Sequence, residues 1–158
     1  MKIAVVMGSK SDLPKLESGI ALIKEFGVEV AVRVLSAHRT PVELTKFLED
    51  IKDDTDVIIA AAGKAAHLPG VVAAQTVTPV VGLPIKSSTM DGLDSLLSMV
   101  QMPGGIPVAT VTIDSGLNAA LMALEIIGIK YPKIAEKLAD YRQKMADKVI
   151  ADDASLEI

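Results

Sequence analysis

The run Val57-Ile58-Ile59-Ala60-Ala61-Ala62, followed at once by Gly63-Lys64-Ala65-Ala66-His67-Leu68-Pro69-Gly70, holds the plan of the whole chain. Six apolar residues without a polar interruption suit a strand covered on both faces, as in a parallel sheet between helical layers. The abrupt change to glycine, lysine and histidine ends that strand, and a helical pattern follows from Leu68 to about Gln75. Similar runs occupy Ile3–Met7, Val80–Ile85 and Val108–Ile113. A fifth, Val28–Leu35, admits Glu29 and Arg33, as a strand nearer an edge would.

Helical patterns separate these runs. Leu13, Leu16, Ile20 and Ile23 recur at i, i+3, i+7 and i+10, which makes one stripe, and Gly27 can end the helix. Further patterns cover Pro41–Ile51, Leu93–Val100 and Asn118–Ile127, the last apolar almost all round and so expected to be buried. Strand and helix in alternation mean right-handed βαβ units, hence an α/β fold with a parallel sheet and helices on both faces. Five strands suit a flavodoxin-like order, although alternation alone does not dictate which strand neighbours which. A final helix runs from Pro132 to about Ile150, with a stripe at Ile134, Leu138, Tyr141 and Met145. It follows a domain already complete, so packing on its own domain and packing on a neighbouring subunit both stay open. The acidic tail Asp152–Ile158 is expected to fray.

The 158 residues suit a single domain, 1–158, with no linker or repeat. A net charge of -4 and few aromatics argue against nucleic acid, which wants basic patches and stacking platforms. No cysteine is present, which excludes disulfides, thiolate nucleophiles and zinc-thiolate sites, and two histidines make a multi-histidine metal site a poor expectation. The first apolar run is too short for a signal peptide, and no stretch is long enough to span a membrane, so a cytoplasmic protein is expected.

Ligands of an open parallel sheet bind beyond the carboxyl ends of its strands. Here those ends lead into Gly8-Ser9-Lys10-Ser11-Asp12, Ser36-Ala37-His38-Arg39, Gly63–Gly70 and Lys86-Ser87-Ser88-Thr89. Glycine, hydroxyl and charged residues thus gather at one edge, together with both histidines. Gly8–Asp12 can receive a phosphate or ribose on its amides and hydroxyls, or Ser11 or Asp12 can simply cap the next helix. The spacing is that of neither a P-loop nor a dinucleotide fingerprint. His38 can move a proton near neutral pH, and Arg39 offers a planar fork for phosphate or carboxylate, a pairing suited to proton transfer on an anionic substrate. The plainer reading makes His38 a hydrogen-bonded loop residue and Arg39 a solvated one. His67 reads more readily as a structural histidine ordering its own loop than as a second proton carrier. Met99 and Met102 read as filler of a core or interface. A receiver domain would need clustered acids after the first strand, and a flavodoxin would need aromatics to stack on its flavin. A flavodoxin-like module that merely binds a small ligand is the remaining non-enzymatic reading.

The motifs Gly8-Ser9-Lys10-Ser11-Asp12, Ser36-Ala37-His38-Arg39-Thr40-Pro41 and Ala66-His67-Leu68-Pro69-Gly70 closely resemble those of the PurE family of purine biosynthesis. Asp94–Pro103 and Asn118-Ala119-Ala120-Leu121 match as well, so the resemblance spans nearly the whole chain. It implies a three-layer α/β/α fold, a homo-octamer with sites shared between subunits, and a C-terminal helix packed on a neighbour. The usual bacterial members are mutases that move a carboxylate from N5 of N5-carboxyaminoimidazole ribonucleotide (N5-CAIR) to C4, giving 4-carboxy-5-aminoimidazole ribonucleotide (CAIR), without ATP, biotin or metal. By the same resemblance His38 is the proton-transfer residue. The ribonucleotide would be held by Gly8, Ser9, Ser11, Asp12, Ser36, Ala37 and Arg39, and the Gly63, Lys64, Ala65, His67 and Leu68 segment would line the rest of the pocket.

One position departs from the pattern. Such mutases usually carry a second glycine where Lys64 stands, whereas the related carboxylases, which use free CO2 with aminoimidazole ribonucleotide (AIR), tend to have a basic residue there. Those carboxylases lack the Ala-His-Leu-Pro-Gly run and tend to have lysine at the position of Arg39, so most class-marking residues side with the mutase. A relative that carboxylates a nicotinic acid derivative is longer at its N-terminus and fits poorly. Lys64 can either pair with the migrating carboxylate or point to solvent.

Overall fold

The computed structural model describes residues 1–156. Its strands are β1 (Lys2–Met7), β2 (Glu29–Val34), β3 (Val57–Gly63), β4 (Val80–Ile85) and β5 (Ala109–Thr110). All neighbours pair in parallel, in the order β2-β1-β3-β4-β5. The helices are α1 (Leu13–Glu25), α2 (Pro41–Ile51), α3 (Leu68–Ala73), α4 (Leu93–Val100), α5 (Gly116–Gly128) and α6 (Pro132–Ala154). The alternation led to a parallel sheet with helices on both faces; the strand order is flavodoxin-like, and the three-layer α/β/α arrangement is the one the family resemblance implies.

Side chains alternate across the central strands, so each strand feeds two cores. Ile3, Val5 and Met7 of β1 pack with α1, α5 and the first turns of α6, while Ala4 and Val6 pack with α2, α3 and α4. The strands with unbroken apolar runs, β1, β3 and β4, lie inside the sheet. The mixed β2 is an edge strand with Val32 and Val34 exposed.

α1 and α5 meet backbone to backbone. A Cβ placed on Gly19 would lie 2.2 Å from the Gly116 carbonyl oxygen, and one on Gly116 would lie 2.1 Å from that of Lys15. Only glycine at both positions lets these helices approach so closely. This contact sets the height at which α1, and the loop before it, stands above the sheet.

Three expectations are corrected. The last strand shrinks from the expected Val108–Ile113 to two residues. The carbonyls of Gly82 and Pro84 face this strand, accepting from the amides of Val111 and Asp114, and Pro84 has no N–H to return, so the ladder stops there. The tail does not fray from Asp152: α6 continues to Ala154, and residues 157–158 lie outside the described residues. The α6 stripe also divides, for Ile134 and Leu138 are buried and Tyr141 packs edge-on against Phe26, but Met145 is 55% exposed. Among the described residues no helix is long and apolar enough to cross a membrane.

Candidate active site

The order β2-β1-β3-β4 places the switch point between β1 and β3, where chain connections diverge to opposite sides of the sheet and leave a crevice. The loop after β1 is built from its own hydroxyls. Ser9 Oγ accepts from the Ser11 amide at 3.3 Å and from the Ser11 hydroxyl at 2.8 Å, while the Ser9 amide donates to Asp12 Oδ2 at 3.2 Å. The expected cap of α1 by Ser11 or Asp12 is corrected: Asp12 makes no side-chain cap bond at the start of α1, and the capping box is formed instead by Ser9 with Asp12 on the short 3₁₀ turn that leads into the helix. Burial pushes the Asp12 carboxyl above the usual carboxylate range, outweighing the Ser9 amide, the Ser11 hydroxyl and Arg39, which all favour its charged form.

The loop after β2 is held by Ser36 and Thr40. Ser36 Oγ accepts from the amides of His38 and Arg39 at 3.3 and 3.2 Å, and the Ser36 amide donates to Thr40 Oγ1 at 2.8 Å. Arg39 then reaches across to the β1 loop, donating from Nη2 to the Gly8 carbonyl at 2.7 Å. These contacts lock the backbone on both sides of His38 but leave its ring exposed, with no hydrogen bond to the described chain. A titratable ring on an immobilised backbone, beside a guanidinium, is free to exchange protons with a ligand.

Beyond β3 the chain turns through Lys64, whose φ of +57° is left-handed. Glycine reaches this conformation without penalty, whereas lysine does not. Ala66 and Leu68 face the same crevice, whereas Ala65 and His67 are not among its lining residues. The His67 ring turns away and donates from Nδ1 to the Ser98 carbonyl of α4. It also lies over Gly70, where a Cβ would sit 2.0 Å from its Nε2. His67 thus ties the start of α3 to α4, in line with the structural reading.

Together these loops enclose a cleft of about 580 Å³, the size range of small-ligand sites. The structure brings Gly8, Ser9, Ser11, Asp12, Ser36, Ala37, His38, Arg39, Gly63, Lys64 and Leu68 to its wall. It adds Lys86, Ser87 and Ser88, which follow β4 and were recognisable from that position though not singled out as site residues. Asp114, at φ +60°, supports this wall by accepting from the Lys86 amide at 2.8 Å and pairing with Lys15 at 2.8 Å. Burial would raise the Asp114 carboxyl, but Lys15 and the Lys86 amide hold it below the usual range. Arg39, Lys64 and Lys86 face a single lining carboxylate, Asp12, so the cleft suits an anion. Among the described residues no three His, Cys, Asp or Glu side chains are grouped to hold a metal ion.

The AIR carboxylase family model matches residues 2–148. The N5-carboxyaminoimidazole ribonucleotide mutase of Methanocaldococcus jannaschii is 54% identical over 155 residues, covering 98% of this chain and 97% of that protein. The phosphoribosylaminoimidazole carboxylase of Candida glabrata is 45% identical over 156 residues, which are 98% of this chain but 27% of that much longer protein. A crystal structure of Treponema denticola PurE superposes with a TM-score of 0.91 at 31% identity, over 99% of each chain.

Proposed function

This chain belongs to the AIR carboxylase family, and on that premise we propose that it is an N5-carboxyaminoimidazole ribonucleotide mutase of purine biosynthesis. The end-to-end likeness to the M. jannaschii mutase carries the reading, since the two chains are nearly coextensive. The likeness to the C. glabrata carboxylase concerns one segment of a protein whose name describes the whole.

In this reading Arg39 and the amides and hydroxyls of Gly8–Asp12 hold the phosphate and ribose of N5-CAIR. The N5–carboxylate bond breaks and CO2 is retained, with His38 giving a proton to N5 as the bond pair returns to that nitrogen. C4 of the aminoimidazole then attacks the same CO2, and His38 recovers a proton from C4 as CAIR forms. Protons and electrons balance, and no oxidant, ATP or metal is called on. The free ring and fixed backbone of His38 support this role, as does the cationic lining of the cleft.

Retaining CO2 requires that water be kept out, yet His38 is exposed in the single chain. Met145, Val149 and Ile150 on the second half of α6 are exposed too, at 55%, 67% and 66%. Both features support assembly of the 1–158 domain with further copies, α6 on a neighbour, as the homo-octamer that the family resemblance implies. A cytoplasmic location fits the same reading.

Lys64 and the C. glabrata likeness favour the second reading, carboxylation of AIR by free CO2. A paired assay separates the two: N5-CAIR without bicarbonate against AIR with abundant CO2. Efficient turnover in the first mixture is expected, and turnover in the second alone would overturn the mutase. His38→Asn should abolish turnover while CAIR still binds, and near-normal activity in that variant would refute the proton role.

A further inference from the structure

Three cationic side chains line the cleft, and two of them are engaged. Arg39 gives its guanidinium to the Gly8 carbonyl at 2.7 Å and to Ser36 Oγ at 3.4 Å. Lys86 Nζ lies 2.6 Å from Asp91 Oδ1. Lys64 makes no ion pair among the described residues. Its backbone is unusual as well. Only two other non-glycine residues among those described have positive φ, Asp91 and Asp114. Aspartate tolerates that region better than lysine does, and both of these carboxylates are paired, with Lys86 and with Lys15. Lys64 alone combines a disfavoured backbone with an unpaired charge facing the cleft. Strain that nothing in the free chain offsets points to a ligand.

Position identifies the ligand group. Arg39 is held at the Gly8 carbonyl, just past β1, and Lys64 follows the neighbouring β3, so the two cations occupy adjacent places along the sheet edge. A ribonucleotide with a phosphate at one end and a carboxylated imidazole at the other brings two anionic groups to these two cations. We infer that Lys64 pairs with the carboxylate of the substrate and product and so distinguishes carboxylated from uncarboxylated aminoimidazole ribonucleotides. This rests on the proposed substrate class, with Arg39 holding the phosphate.

Calorimetric binding of CAIR and of AIR, which differ by that carboxylate, tests the inference on the full chain. Lys64→Met should weaken CAIR about tenfold, the loss of about one good ion pair, and leave AIR within about twofold. Lys64→Arg, which keeps the charge, should recover most of the CAIR affinity. Lys64→Gly, suited to the backbone, should repeat the Met result should the Met variant fold poorly. An equal loss for both ligands, or unchanged CAIR binding in the Met and Gly variants, would overturn the inference. AIR and CAIR are ligands under the mutase and the carboxylase readings alike, so failure of the mutase in the paired assay is seen separately. Wild-type protein that binds neither would overturn the site reading and this inference together.

Discussion

Gly19→Ala tests whether the α1–α5 contact is as close as the packing requires. The added carbon would sit 2.2 Å from the Gly116 oxygen, 2.7 Å from its carbonyl carbon and 3.2 Å from Ala120 Cβ. Since a carbon–oxygen contact needs about 3.3 Å, the helices must part by roughly 1 Å. Two of the three obstacles are backbone atoms and cannot rotate away. Overpacking of this kind costs up to about 3 kcal/mol, and replacing a mid-helix glycine by alanine returns about 1 kcal/mol. The net loss of about 2 kcal/mol corresponds to a melting temperature lower by about 4–8 °C for a chain of this size. Scanning calorimetry at fixed protein concentration reads the shift, because subunit association would otherwise move it. Gly104→Ala is the control: its added carbon meets no atom within 4 Å, and a change within about 0.5 kcal/mol is expected. A Gly19→Ala protein that melts at or above wild type would refute the packing argument. The loop Ser9–Asp12 stands at the start of α1, so the same variant should also weaken ribonucleotide binding.

Two further outcomes follow from the site. Because burial raises the folded-state pKa of Asp12, its favourable contribution is complete below the unfolded-state value and is lost as pH rises through the folded one. Asp12→Asn should therefore equal or exceed wild type in stability at neutral pH, the difference shrinking in acid, while CAIR affinity falls about tenfold; a melting series across pH in which wild type gains over the variant as pH rises would contradict this. Lys64→Gly should relieve the left-handed backbone by about 1 kcal/mol or less after the entropic cost of glycine, a rise of about 1–4 °C in melting temperature, and a lower melting temperature would show that the turn is not strained.

Much of the site was legible because the chain writes it locally. A strand that ends in Val, Ile or Ala and turns at once into Gly, Ser, Lys or His marks its own carboxyl end, and in a parallel sheet all such ends lie along one edge. Position at a strand end is enough to put His38, Arg39, Ser9 and Asp12 in one cleft. It does not aim individual side chains. His67 and Lys64 stand three residues apart in the same loop, yet one ring turns to the Ser98 carbonyl while the other residue lines the cleft. Asp114 was invisible as a site element, since its work depends on the amide of Lys86, 28 positions earlier in the chain.

The sequence by itself determined the fold class, the number of strands, the mixed composition of β2 and the edge where the ligand must sit, because apolar runs and helical stripes are patterns of near neighbours. Only the tertiary structure decided the order β2-β1-β3-β4-β5, the stop of β5 opposite Pro84, the backbone contact of Gly19 with Gly116 and the entry of Lys86–Ser88 into the cleft. It alone showed that Lys64 sits in a left-handed turn. Each of these depends on which distant segment fills the space beside a residue, and hydrogen bonds and close packing across the sheet settle that only when the whole chain has folded.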